Sequence, residues 1–145
     1  INYKILKQLM EKGAILTKTE DADLLKEEYF LTKDLVKRKS LLAGLFAFLR
    51  YKWRKGGLLA KRDSYIAKRI DESLQEGEIG ICFLGAYHQM LPSLSKDIMV
   101  ITLKNPEKVK EYYQMFTAHI REGEVNSLGR YLTTPIKIRL GKKYD

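Results

Sequence analysis

The residues best suited to chemistry fall in two short stretches. Gly85-Ala86-Tyr87-His88 follows an apolar run and ends in an imidazole. Arg62-Asp63 precedes a four-residue repeat made by Ile66, Ile70 and Leu74. An imidazole that titrates near neutral pH serves as a general base or as a metal ligand, and a divalent cation is the cofactor that His88 would take. The Arg62 guanidinium is a fork that fits carboxylate or phosphate. Asp63 could orient the imidazole of His88 by accepting from a ring N–H. Gly85 allows a sharp turn and a close approach of backbone to ligand, with Tyr87 beside it. Arg62, Asp63 and His88 are therefore the catalytic candidates, and Gly85 and Tyr87 the ligand-binding ones. The same residues also fit a plain loop and surface ion pairs, because one Gly-x-x-His is a short signal.

Elements of matching length could bring the two stretches together. A helix from about Leu58 to Glu76 carries Arg62 in phase with its apolar stripe, and Gly77 ends it. Ile79 to Leu84 is a continuous apolar run, which suits a strand buried on both faces. From Arg62 the helix covers about 21 Å, and the strand to Gly85 about 20 Å. Packed antiparallel, they would return Gly85–His88 to the level of Arg62, at a strand C-terminal end where open α/β sheets gather ligands. A second run, Ile98 to Leu103, follows after thirteen residues, enough for a parallel crossover and too many for a hairpin.

Helices are expected elsewhere. Residues 2–12 have an amphipathic pattern stopped by Gly13. Thr19 with Glu20, Asp21 and Asp23 reads as the start of a helix reaching about Lys39. Within it Glu28 lies among apolar positions, where a carboxylate is costly unless paired or reaching solvent at an edge. Ser40 can cap a helix from Leu41 to about Lys55, ended by Gly56-Gly57. Asn105-Pro106-Glu107 opens a helix to Glu122, with Gly123 as its stop and Tyr112, Tyr113 and Phe116 at core spacing. Ile136–Leu140 suits one more short strand. The expected fold is α/β: a helix-rich N-terminal half, residues 1–76, then a small, mainly parallel sheet with flanking helices in 77–145, all in one domain. With no initiator Met before Ile1, a fragment of a longer chain is an open alternative.

The stretch from Arg62-Asp63 through Gly77 to Ile81-Cys82-Phe83-Leu84-Gly85-Ala86-Tyr87-His88 resembles the C-terminal part of the TraB/Tiki-like superfamily. In that family an Arg-Asn or Arg-Asp pair opens a helix, and an apolar strand ends in Gly-Ala-x-His. The resemblance spans about 30 residues. It implies a fold of duplicated βα units, a metal-dependent hydrolase activity, and Arg62 and His88 as the shared positions, with His88 on the metal. The family pattern also has an earlier Gly-x-x-His strand, and this chain carries no second Gly-x-x-His. The resemblance therefore implies either a half-site or a relative that kept the fold and lost the chemistry.

Charge offers a different reading. The 145 residues carry a net +9, yet Lys37 to Arg69 alone holds eleven basic residues against one acid, Asp63. The remainder of the chain is therefore close to neutral, and the basic field is local. Such a field points to an anionic partner, either nucleic acid or an acidic membrane surface. Arg50-Tyr51-Lys52-Trp53-Arg54-Lys55 interleaves cations with aromatics, so Arg50, Lys52, Trp53, Arg54 and Lys55 are the anion-binding candidates. The two helices of this segment, joined only by Gly56-Gly57, are expected to pack side by side and merge their cations into one surface. Leu41–Leu49 is apolar on nearly every face and could bury itself in a partner or in a second copy, giving a homo-oligomer.

Composition excludes other classes. At 45% hydrophobic and 31% charged the chain can bury a core, which removes disorder and collagen-like repeats. One cysteine, Cys82, excludes an intrachain disulfide and a cysteine-cluster zinc site, and its place mid-strand suits a buried, inert thiol. The longest apolar run, nine residues, is far below the ~20 needed to span a bilayer. With no signal peptide in view, a cytoplasmic location is expected. P-loop, Gly-x-Gly-x-x-Gly, His-Glu-x-x-His and Gly-x-Ser-x-Gly motifs are lacking. His119, alone on a helix flank, suits a structural or solvated role.

Overall fold

The expected amphipathic period at the N-terminus forms helix α1, Asn2–Glu11. The computed structural model of the chain describes residues 2–36, 41–118 and 122–136. Gly13 adopts φ 92°, the left-handed conformation that glycine accepts without strain. The Gly13 N–H donates to Met10 O and the Ala14 N–H to Leu9 O, so the carbonyls of the last turn are satisfied as the helix stops.

Helix α2, Ala22–Val36, starts two residues later than a Thr19 cap implies. Asp21 is the cap: its Oδ1 accepts from the N–H groups of Asp23 at 2.8 Å and Leu24 at 2.9 Å. A carboxylate does this better than the Thr19 hydroxyl because it also meets the positive end of the helix dipole.

Helix α3 runs unbroken from Leu41 to Ser73, 33 residues and about 50 Å. Two side-by-side helices were expected here, and Gly56-Gly57 does not separate them. Each glycine disfavours a helix interior by about 1 kcal/mol relative to alanine. That penalty is offset because the helix packs on both sides of the pair. Ala47 and Leu58 are buried, Ile66 is fully buried and Ala67 nearly so. The basic residues from Arg50 to Arg69 consequently lie along one rod.

The chain divides into two compact units. The first comprises Ile1–Cys82 with Gln89–Lys96, and the second Phe83–His88 with Asp97–Asp145. In the first, α2 packs on α3, and α3 also meets a 3-10 turn at Leu91–Ser93. Leu31 of α2 and Met90, which leads into that turn, join the buried set.

In the second unit, helix α4, Pro106–Ala118, packs on helix α5, Glu122–Thr133. The Asn105 cap appears as expected, its Oδ1 accepting from Glu107 N at 2.9 Å and Lys108 N at 3.3 Å. Tyr131 fastens the pair. Its hydroxyl accepts from Asn105 N at 2.9 Å, and Lys104 and Lys108 lie 5.0 and 4.7 Å from its ring. Lys104 Nζ also donates to the carbonyls of Tyr131 and Thr134, closing the C-terminal end of α5 with a cation. Gly123 lies within α5 rather than ending α4. Tyr113 and Phe116 are exposed, so their spacing does not mark a core.

The expected parallel sheet is absent, and the α/β assignment is overturned: no strand occurs among the described residues. Both apolar runs, 79–84 and 98–103, are irregular. Ile79 is 80% and Met99 83% exposed. An apolar run asks for burial and does not by itself choose a strand, which is stabilised by cross-strand pairs. Neither run has a ladder partner among the described residues. Lys37–Ser40, His119 and the expected strand beyond Ile136 lie outside the described residues.

Space around the glycine pair gives a direct check on the continuous helix. An added Cβ at Gly56 or Gly57 meets nothing within 4 Å. Gly56→Ala with Gly57→Ala should raise stability by about 1–2 kcal/mol in urea denaturation. A loss of stability would mean that the helix breaks at this pair.

Candidate functional site

Arg62 and Asp63 are the two buried charged residues among those described, 8% and 5% exposed. A buried guanidinium needs partners for its five donors. Arg62 finds them across the helix pair. Its Nε donates to Glu20 Oε2 at 3.1 Å and its Nη2 to Glu20 Oε1 at 2.5 Å, a two-pronged grip on one carboxylate. Its Nη1 donates to Glu28 Oε2. Hydrogen bonding to the Glu20 carboxylate raises the Arg62 pKa above its ordinary value. Burial opposes this, and the negative charges of Glu20, Glu28 and Asp63 add to it. Glu28 is thus both a half-exposed edge residue and a paired carboxylate. Two inward stripes carried the signal for this pairing: a carboxylate among the apolar positions of α2 and a guanidinium among those of α3.

Asp63 holds a different segment of the same unit. Its Oδ2 accepts from Gln89 N at 2.8 Å, just before the 3-10 turn. Asp71 repeats the device one segment on, its Oδ1 accepting from Ser95 N at 3.3 Å. The carboxylates on this side of α3 thus anchor the loop that brings Met90 into the core.

Gly85, Tyr87 and His88 lie together in one turn of the second unit. The His88 N–H donates to Gly85 O at 3.2 Å. A Cβ on Gly85 would stand 3.4 Å from His88 Cδ2, so the imidazole folds back over the bare glycine. Tyr87 meets Tyr113 edge to face, with ring centroids 5.9 Å apart. The helix–strand return expected to bring Gly85–His88 level with Arg62 has no strand to act through. Arg62 and Asp63 belong to the first unit, and Gly85, Tyr87 and His88 to the second. Among the described residues no group of three or more His, Cys, Asp or Glu side chains is placed to hold a metal ion. Cys82 is exposed rather than buried in a strand, and partial burial of its thiol still raises its pKa.

The anion-binding candidates divide by residue type. Arg50 Nη2 lies 2.5 Å from Asp34 Oδ2, and Arg54 Nη2 lies 2.7 Å from Glu27 Oε1. With Arg62 on Glu20 and Glu28, these contacts form an antiparallel ladder. Arg50 on Asp34, Arg54 on Glu27 and Arg62 on Glu20 follow the antiparallel order of the two segments, and Glu28, next to Glu27 in α2, gives Arg62 a second acid. Lys55 Nζ sits 5.3 Å over the Tyr51 ring. Lys52 and Lys61 are exposed, and Trp53 is 86% exposed. A shallow open groove lies beside Trp53, lined by Glu27, Trp53, Arg54, Gly57, Leu58 and Lys61. Sequence reasoning grouped arginines and lysines as one surface and missed the acids of α2, which were legible as Glu27 and Asp34, two turns apart.

Comparison of the chain with protein-family models, curated proteins and solved structures finds no match.

The Arg62 cluster makes a test of its role simple. If Arg62 holds α2 on α3, Arg62→Ala should lower stability by about 3 kcal/mol. That is the lower end of the range for a broken buried pair, because both carboxylates can turn to water. Arg62→Lys keeps the charge without the fork and should fall between the two. Urea unfolding reads both, and an unchanged midpoint for Arg62→Ala would remove the structural role.

Proposed function

We propose that the chain is a binding module that attaches to an anionic, phosphate-bearing surface through the basic stretch of α3. One observation carries this reading. No acidic residue occurs between Asp34 and Asp63, and in the described part of that stretch Lys52 is exposed on α3 while the exposed Trp53 and Lys61 line an open groove. Arginines facing α2 are neutralised by its acids, whereas these lysines face water. A compact ammonium on a flexible stem loses little by staying hydrated and can meet a phosphate as a point charge. Gly57 adds no side chain to the groove floor, which keeps it open between Trp53 and Lys61.

The hydrolase reading implied by the TraB/Tiki-like resemblance asks more of the same residues. Arg62 would have to release Glu20 and Glu28 to bind a substrate anion, leaving two carboxylates to repel each other at the α2–α3 contact.

Binding to immobilised heparin, a generic polyanion, tests the proposal. The chain should be retained at low salt and released as salt rises, because each neutralised anion frees a counterion. Lys52→Gln with Lys61→Gln should elute at distinctly lower salt with unchanged melting, since both residues are exposed and glutamine is a good helix former. Arg50→Gln with Arg54→Gln should instead lower the melting temperature, because those side chains tie α2 down. Passage of the wild-type chain through the column at low salt would overturn the proposal.

A further inference from the structure

We infer that the surface α3 meets is an anionic lipid bilayer, with the N-terminal part of the helix lying in the headgroup plane. This inference rests on the anion-binding reading above and names its partner. The lysines explain attraction but leave a second feature of the same helix unaccounted for. Leu42 is 70% exposed, Leu45 54%, Phe46 70%, Leu49 52% and Trp53 86%. Their spacing of three, four, seven and eleven residues from Leu42 places them in an arc of about 100°, along about 17 Å of helix. A contiguous apolar stripe on a surface marks an interaction site. It lies opposite the face that α2 covers, where Ala47, Leu58 and Arg62 are buried.

Charge selects the occupant. Lys52 flanks the stripe on one side and Arg50, which is paired with Asp34, on the other, and no acid lies on α3 before Asp63. A second copy laid against this face would bring like charges together with nothing on the stripe to offset them. A nucleic acid would meet the cations but offers no apolar phase for Leu42, Leu45, Phe46 and Leu49. An anionic bilayer offers both within about 5–10 Å of depth, phosphates for the flanks and acyl chains for the stripe. Trp53, at the C-terminal end of the stripe beside Lys52 and Arg54, has the amphipathic ring that settles at headgroup level. No helix among the described residues is long and apolar enough to cross a membrane, so the contact is an interfacial one.

The intact chain supplies its own probe, since Trp53 is its single tryptophan. Phosphatidylcholine vesicles containing phosphatidylserine should shift Trp53 emission to the blue, and brominated lipid should quench it. Vesicles of phosphatidylcholine alone should bind weakly. Phe46→Gln with Leu49→Gln should lose vesicle binding at least tenfold while keeping its retention on heparin. Lys52→Gln with Lys61→Gln should weaken vesicle binding by about thirtyfold. All four substituted residues are exposed, and circular dichroism should show unchanged helix content in both variants. Retention on heparin or an oligonucleotide without vesicle binding would overturn the lipid assignment and leave the anion-binding reading standing. Vesicle binding with no blue shift, unaffected by Phe46→Gln with Leu49→Gln, would overturn insertion. A dimer in light scattering that this variant dissolves, without vesicle binding, would assign the stripe to a second copy and overturn the inference. Failure to bind heparin and vesicles alike would end both readings.

Discussion

One guanidinium sets the geometry of the first unit. Arg62 is buried between α2 and α3, and its fork grips Glu20 ahead of α2 and Glu28 within it. A charge taken out of water is tolerated only with close, well-aligned partners. The contact therefore fixes where α2 begins relative to α3, and the remaining rungs follow from that register. Glu27 reaches Arg54 and Asp34 reaches Arg50. Leu31 and Leu58 are buried in the same unit. On another side of α3, Asp63 and Asp71 hold the segment around Met90 through its backbone N–H groups.

This arrangement sorts the cations of α3 by chemistry. Arg50 and Arg54 each meet a carboxylate through one Nη2 donor, and Arg62 grips Glu20 with the two-pronged fork that arginine favours. Lys52 and Lys61, on the strongly hydrated ammonium, remain in water. A strongly basic helix could thereby pack against an acidic neighbour without losing its outward charge. The same packing leaves Leu42, Leu45, Phe46, Leu49 and Trp53 uncovered, because α2 faces the opposite side of the rod. Basic flank and apolar stripe then coincide on one helix, the combination that an anionic lipid surface recognises.

Glycine behaved differently according to where it stood. Gly13 and Gly77 adopt positive φ and occupy turns beyond helix ends, a local property read directly from residue type. Gly56 and Gly57 look the same in sequence yet lie inside α3. At those positions the local preference is worth about 1 kcal/mol each, and burial of Ala47, Leu58 and Ile66 along the same helix outweighs it.

What the sequence by itself determined were the short-range features. The Gly13 stop, the Asn105 cap and the local concentration of basic residues each depend on neighbours within a few positions. Glu28 and Arg62 were recognisable singly as charges on inward stripes. Their pairing was decided only in the tertiary structure, because it joins residues far apart in the chain. The uninterrupted course of α3 and the division of labour between arginine and lysine were decided there too. The apolar runs at 79–84 and 98–103 mark the boundary most clearly. Their composition called for burial, but a strand exists only through the partner that hydrogen-bonds to it. Among the described residues no such partner is aligned with either run, so residue type alone could not make a sheet of them.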